Sequence, residues 1–142
     1  MHRILVPVDG SEASLRAVDY VADMAREIGQ VEGRLLNVQE PPIVYGEVEV
    51  YVSIKDVEEM RIQAIKRQLA LAEERLKAAG ISFKSEARDG SPARVIAQRA
   101  HETECDAIVM GTHGNGAFVN LLLGSVATKV IHLTKLPVTL VH

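Results

Sequence analysis

An α/β fold on a parallel sheet is what this 142-residue chain predicts. Short β-branched or apolar runs alternate with longer stretches of helical periodicity, the pattern of strands joined by crossover helices. The runs RILVPV (3–8) and DAIVM (106–110) are almost continuously apolar, as strands covered on both faces are. Gly, Pro, Asp or Ser punctuates nearly every boundary. The order reads β-α-β-α-β-α-β-α-β, which puts helices on both faces of the sheet. No repeat, low-complexity tract or linker interrupts it, so one domain, 1–142, is expected.

The first strand, 3–8, ends at DGS (9–11), and Ser11 is a good N-cap for a helix over about 12–28. Val18, Val21, Ala22, Ala25 and Ile28 give that helix an apolar stripe, and Gly29 stops it. RLLNVQ (34–39) reads as the second strand, ended by Pro41 and Pro42. Residues 43–52, IVYGEVEVYV, alternate like a strand but are broken by Gly46, and are expected to be an irregular excursion. The strongest helix spans 56–79: Ile62, Ile65, Leu69, Ala72, Leu76 and Ala79 form its stripe, and Gly80 ends it. A third strand is expected at 81–87, a turn at Asp89-Gly90, then a helix capped by Ser91 with Pro92 at its first position. After the fourth strand, 106–110, comes a glycine-rich loop, a helix over about 125–134, and a last strand over 137–141.

Bulk composition excludes several classes. With 47% hydrophobic and 25% charged residues the chain can bury a sizeable core without disulfides or a structural metal. Its net charge of −3 offers no basic face for nucleic acid or an anionic membrane. The single cysteine, Cys105, allows no internal disulfide and fits a reducing compartment. No apolar run is long enough to span a membrane or to serve as a signal peptide, so a cytoplasmic location is expected.

The chemistry concentrates in GTHGNGAFVNLLLGSVATKV (111–130). In sheets of this kind ligands bind beyond the carboxyl ends of the strands, at a switch in strand order. If the first and fourth strands are neighbours, DGS and the glycine loop line one crevice. Gly111 and Gly114 lack a Cβ, which lets backbone N–H groups approach an anion. Gly124 and Ser125 start a helix whose N-terminal N–H groups and partial positive charge favour phosphate, and Val126 and Ala127 leave room. A glycine-rich connection with no ligand is the competing reading. The loop lacks the GK[ST] of a P-loop, and the first strand lacks GxGxxG.

The spacing Gly111-x2-Gly114-x9-Gly124-Ser125 resembles the ATP-binding signature of the universal stress protein family. ILVPVDGSEAS, DAIVMGTHGNG, LLLGSVATKVI and LPVTLV are similar to that family's first strand and turn, fourth strand and loop, last helix and last strand. The resemblance covers nearly the whole chain. It implies a three-layer α/β/α fold with an open five-stranded sheet in the order 3-2-1-4-5, Rossmann-like and of the adenine nucleotide alpha hydrolase type. It further implies that Pro7 and Val8 flank adenine, that Val38 meets it through its backbone, and that Met110 and Gly111 line the ribose side. Gly114, Gly124, Ser125 and Val126 would hold phosphates. Asp9 would lie near ribose, phosphates or a Mg ion bound through water. The ligand implied is ATP, with AMP or ADP also admitted, and the partner a second copy docked through the last strand, between Pro137 and Val141. Asn115-Gly116 stands where many members carry a basic residue, which thins the charge balance for a triphosphate.

Single residues keep two readings. Asp9 is a turn former or a hydrogen-bond acceptor near phosphate. His113, the one titratable group in the first half of the loop, is an exposed histidine or a phosphate contact. Leu121–Leu123 pack under the loop or cover the ligand. Tyr45 and Tyr51 stack on adenine or serve core or dimer contacts. His101, His132 and His142 lack metal-ligand spacing, and Cys105 has no activating motif. Three functions compete: a dimeric, nucleotide-dependent regulatory switch acting on an unidentified protein, a slow ATPase or phosphotransferase, and a nucleotide-free adaptor. The enzyme would need a cation over the γ-phosphate and a nucleophile-positioning group, and only Asp9 qualifies as a base. No catalytic residue and no enzymatic activity are therefore expected.

Overall fold

The computed structural model describes residues 1–41, 54–113 and 123–142. The stretch 43–52, with Tyr45 and Tyr51, lies outside them, as do Gly114, Leu121 and Leu122. Five strands form one parallel sheet: β1 (His2–Pro7), β2 (Val31–Gln39), β3 (Ser82–Asp89), β4 (Ala107–Gly111) and β5 (Val138–Val141). Their order is β3-β2-β1-β4-β5, as the resemblance implies. The helices are α1 (Glu12–Ile28), α2 (Ile54–Ala78), α3 (Pro92–Glu102) and α4 (Ser125–Leu133).

Two apolar layers hold the sheet. On one face Ile4, Val6, Leu35 and Val109 pack against Val18 and Val21 of α1 and Leu69, Ala72 and Leu76 of α2. On the other, Leu5, Leu36, Ile108 and Met110 meet Ala93, Ile96 and Ala100 of α3 and Ala127 and Val130 of α4. Each fully buried leucine contributes about 2 kcal/mol. The stripe of α2 is buried only along its C-terminal part, and Ile62 is 41% exposed.

Two strand boundaries differ from the sequence expectation. β2 starts at Val31, not at 34, because Gly33 is a strand residue paired with Ile4 and Phe83. A Cβ at Gly33 would lie 2.9 Å from Leu76 Cδ1, so its missing side chain lets α2 lean on the strand. β3 continues through Asp89, which pairs with Gln39. The turn falls on Gly90, whose φ is 141°. Among the described residues no helix is long and apolar enough to cross a membrane.

Candidate functional site

β1 and β4 are adjacent, and beyond their carboxyl ends lies a cavity of about 420 Å³. That is within the range of small-ligand sites, ~300–1,000 Å³. The end of β1 and the turn after it contribute Pro7, Val8 and Asp9, and β2 contributes Val38. Met110, Gly111 and His113 come from the end of β4, and Gly124, Ser125 and Val126 from the start of α4. The crevice thus gathers every described residue that the sequence and the resemblance nominated. Gly114 falls outside the described residues.

The lining is divided by chemistry. Leu36, Val38, Ile96 and Met110 form an apolar wall continuous with the core under α3 and α4. Polar groups stand on the other sides. Asp9 Oδ1 accepts from Ser11 N–H at 2.9 Å, so the carboxylate is built into the turn. Ser11 Oγ accepts from Ser14 N–H at 3.2 Å, and Ser14 Oγ donates to Ser11 C=O at 2.9 Å. This reciprocal pair caps α1. At α4 the N-cap is Gly124, which has no side chain to give. The first intrahelical bond runs from Thr128 N–H to Gly124 C=O. Ser125, Val126 and Ala127 therefore present first-turn N–H groups ahead of the helical ladder, facing the crevice they line.

The glycines need a different explanation from the expected one. A Cβ on Gly111 would lie 2.9 Å from the Ala13 carbonyl carbon and from Ala13 Cβ, so this glycine lets β4 touch the first turn of α1. A Cβ on Gly124 would lie 2.9 Å from Thr112 C=O, which already accepts from Gly124 N–H at 2.6 Å. The Gly124 N–H is thus engaged within the chain. Both glycines shape the crevice by close packing, and the donors facing it come from the residues after Gly124.

Other residues at the site carried weaker sequence signals. Ser91 occupies the N-cap of α3, but its side chain makes no capping bond; Pro92, next to it, lines the crevice. Thr112 is buried, donates its N–H to Val141 C=O at 2.9 Å, and pairs its hydroxyl with His113 Nδ1 at 3.0 Å. Asn37 is 1% exposed, and its Nδ2 donates to Val8 C=O at 2.8 Å and to Gln68 Oε1 at 2.7 Å. It fixes the carbonyl beneath the crevice and ties the turn to α2. A lone amide inside the apolar run LLNV was the available clue. Gln68 had none, since its contact with Gly10 exists only in the fold.

The thiol of Cys105 lies away from the crevice. It precedes β4, at the opposite end of that strand from the crevice, and burial pushes its pKa up. Among the described residues no three His, Cys, Asp or Glu side chains gather into a metal-ligand set.

Comparison with known proteins agrees with this geometry. The family model described as "Universal stress protein family" matches residues 1–142. The chain belongs to the universal stress protein family. It is 32% identical to universal stress protein MJ0531 of Methanocaldococcus jannaschii, over 98% of this chain and 81% of that protein. Among solved structures it is similar to hypothetical protein MJ0577, with a TM-score of 0.82 and 27% identity, covering 98% of this chain and 94% of that one. It is also similar to a universal stress protein solved in complex with cAMP, with a TM-score of 0.67 and 26% identity over 99% of this chain and 96% of that one. In this universal stress protein fold the crevice lies between the two strands where the order reverses, β1 and β4.

Proposed function

We propose that the chain is a regulatory protein of the stress response that binds an adenine nucleotide between β1, β4 and α4. The observation that carries this is the division of one cavity into an apolar wall and an α4 N-terminus with donors to spare. Adenine is flat and apolar on its faces and suits Val38, Ile96 and Met110. Phosphate suits the first turn of α4. The cAMP complex of a 26%-identical universal stress protein supports the same ligand class. ATP, ADP and AMP share the adenosine part. Any Mg ion would be held chiefly by the phosphates, with Asp9 as an outer partner through water.

The activity proposed is binding, in the cytoplasm, rather than turnover. Asp9 Oδ1 is occupied by Ser11 N–H, and no Lys or Arg lines the described crevice to stabilise a leaving phosphoryl group. A second copy is proposed to dock on β5. Pro137 and Val141 carbonyls accept from the Ile108 and Thr112 N–H groups, so the alternate residues Val138 and Leu140 turn their backbone groups outward. Nucleotide then acts as a switch only by binding two dimer states with different affinity, which a partner protein reads.

The test is to denature freshly purified protein and identify what is released by chromatography and mass spectrometry. An adenine nucleotide near one per chain is expected. Protein that is empty and also takes up no added nucleotide would favour a nucleotide-free adaptor. Steady phosphate release that disappears in Asp9→Asn would favour an enzyme.

A further inference from the structure

We infer that Gln68 of α2 is a positioning residue for the crevice: through Asn37 it holds the Val8 turn in the shape that takes a ligand. The inference rests on the ligand-binding reading above and adds to it a residue outside the crevice lining.

Strand alternation sorts the carboxyl end of β2. Leu36 and Val38 line the crevice, whereas Asn37 between them turns to the opposite face, under α2. β1 pairs with β2 only as far as Pro7, opposite Leu36. Val8, one residue further, still donates its N–H to Leu36 C=O at 2.9 Å. Its own carbonyl accepts from the Asn37 side chain, Nδ2 at 2.8 Å. The crevice wall at Val8 is thus held by a side chain just past the end of the strand pairing.

That side chain takes its orientation from its neighbours. Asn37 Nδ2 carries two N–H groups: one goes to Val8 C=O, the other to Gln68 Oε1 at 2.7 Å. Asn37 Oδ1 accepts from Gln39 Nε2 at 3.1 Å. Flipping the amide would set its oxygen against the Val8 carbonyl and Gln68 Oε1, acceptor facing acceptor. The last torsion of an asparagine is soft by itself, so the Gln68 acceptor helps to decide which way the amide faces. Gln68 is located in turn by α2. Its neighbour Leu69 is buried in the core, and Arg61, two turns earlier, binds Asp89 at the end of β3 at 2.6 Å. Gln68 also packs on the turn directly, since a Cβ on Gly10 would lie 2.8 Å from its Cγ.

The experiment compares Gln68→Met with the wild type. Methionine keeps the Cγ that lies on Gly10 and removes the acceptor. Full-chain protein stripped of nucleotide is titrated calorimetrically with AMP and with ATP plus Mg²⁺. Amide hydrogen exchange over residues 8–14 is followed without nucleotide. Gln68→Met is expected to weaken binding about tenfold and to speed exchange in that turn. Leu76→Val, a core truncation elsewhere on α2, is expected to lower the unfolding midpoint and leave affinity within about twofold. In an Asn37→Ala background Gln68→Met is expected to add little, because its effect runs through Asn37. Unchanged affinity or exchange in Gln68→Met, an equal loss of affinity in Leu76→Val, or full additivity with Asn37→Ala would overturn the inference. Wild-type protein that binds neither nucleotide would overturn the nucleotide reading, and the exchange result would then decide whether Gln68 positions the turn.

Discussion

At the start of α1, a serine side chain takes up the Ser14 N–H; at the start of α4, a glycine leaves the first turn without a side-chain cap. Both helices follow a parallel strand and a glycine-containing turn, and both line the same cavity. Yet Asp9 takes the Ser11 N–H and Ser11 takes the Ser14 N–H, so α1 begins with a carboxylate and two serines satisfied among themselves. α4 begins with Gly124 and no side-chain cap. The contrast assigns polarity to the crevice. On the proposed nucleotide reading, the anionic end of the ligand would sit at α4 and its hydroxyl groups beside Asp9.

The largest expected effect comes from forcing α1 away from β4. In Gly111→Val the new Cβ would meet the backbone of Ala13 at 2.9 Å, where no side chain can swing away. Overpacking against main chain is expected to cost about 3 kcal/mol, lowering the melting temperature by roughly 10 °C. Thermal unfolding followed by circular dichroism reads it. An unchanged melting temperature would show that α1 can move off β4, and the fixed geometry on which the contrast depends would be lost. Gly124→Val meets Thr112 C=O in the same way, so a loss of binding there would report displaced packing as well as a lost phosphate contact.

A finer cut compares two serines at nearly equivalent places. Ser11 is the N-cap of α1, and its hydroxyl has a backbone partner; Ser125 is the first residue of α4, and it is exposed at the crevice. Ser11→Ala is expected to cost about 1 kcal/mol of stability. Ser125→Ala is expected to leave stability unchanged within about 0.5 kcal/mol while weakening nucleotide binding several-fold. Urea unfolding and titration with AMP, run on both variants, measure the exchange. If Ser125→Ala destabilises and Ser11→Ala does not, the roles of the two termini have been assigned the wrong way round.

These same residues show what the sequence carries and what it withholds. Strand and helix order follows from local patterning, which is why Ser11, Gly29, Gly80 and Pro92 marked their boundaries well. The expected strand 34–39 left out Gly33, whose place in β2 depends on Leu76, distant in sequence. Gly111 and Gly124 were legible as special positions but not in their purpose: the atoms that demand a missing Cβ belong to Ala13 and Thr112. The crevice was foreseen because parallel topology puts ligands at strand carboxyl ends. The Asn37–Gln68 bond was not, since a hydrogen bond between β2 and α2 leaves no periodic trace.

The smallest effect concerns how α3, whose first residue Pro92 lines the crevice, is held on the sheet. Arg99 grips Glu86 of β3 through two bonds, Nε to Oε1 at 2.7 Å and Nη2 to Oε2 at 3.0 Å. Burial pushes the Glu86 carboxyl up, but the hydrogen bonds and charge of Arg99, helped by Arg88, outweigh it and hold its pKa below the usual 4.5. A carboxylate depressed in the folded state contributes stability that is fully present above the unfolded value. That contribution is lost as pH falls from about 4.5 through the folded pKa. Because the pair is partly exposed, its share is expected to be under about 1 kcal/mol. Unfolding midpoints measured between pH 6 and 3 would show the loss, and Arg99→Met would flatten part of that profile. Nucleotide binding weakened by Arg99→Met at neutral pH would mean that α3 anchorage also sets the crevice, and that two helix termini are too few to describe it.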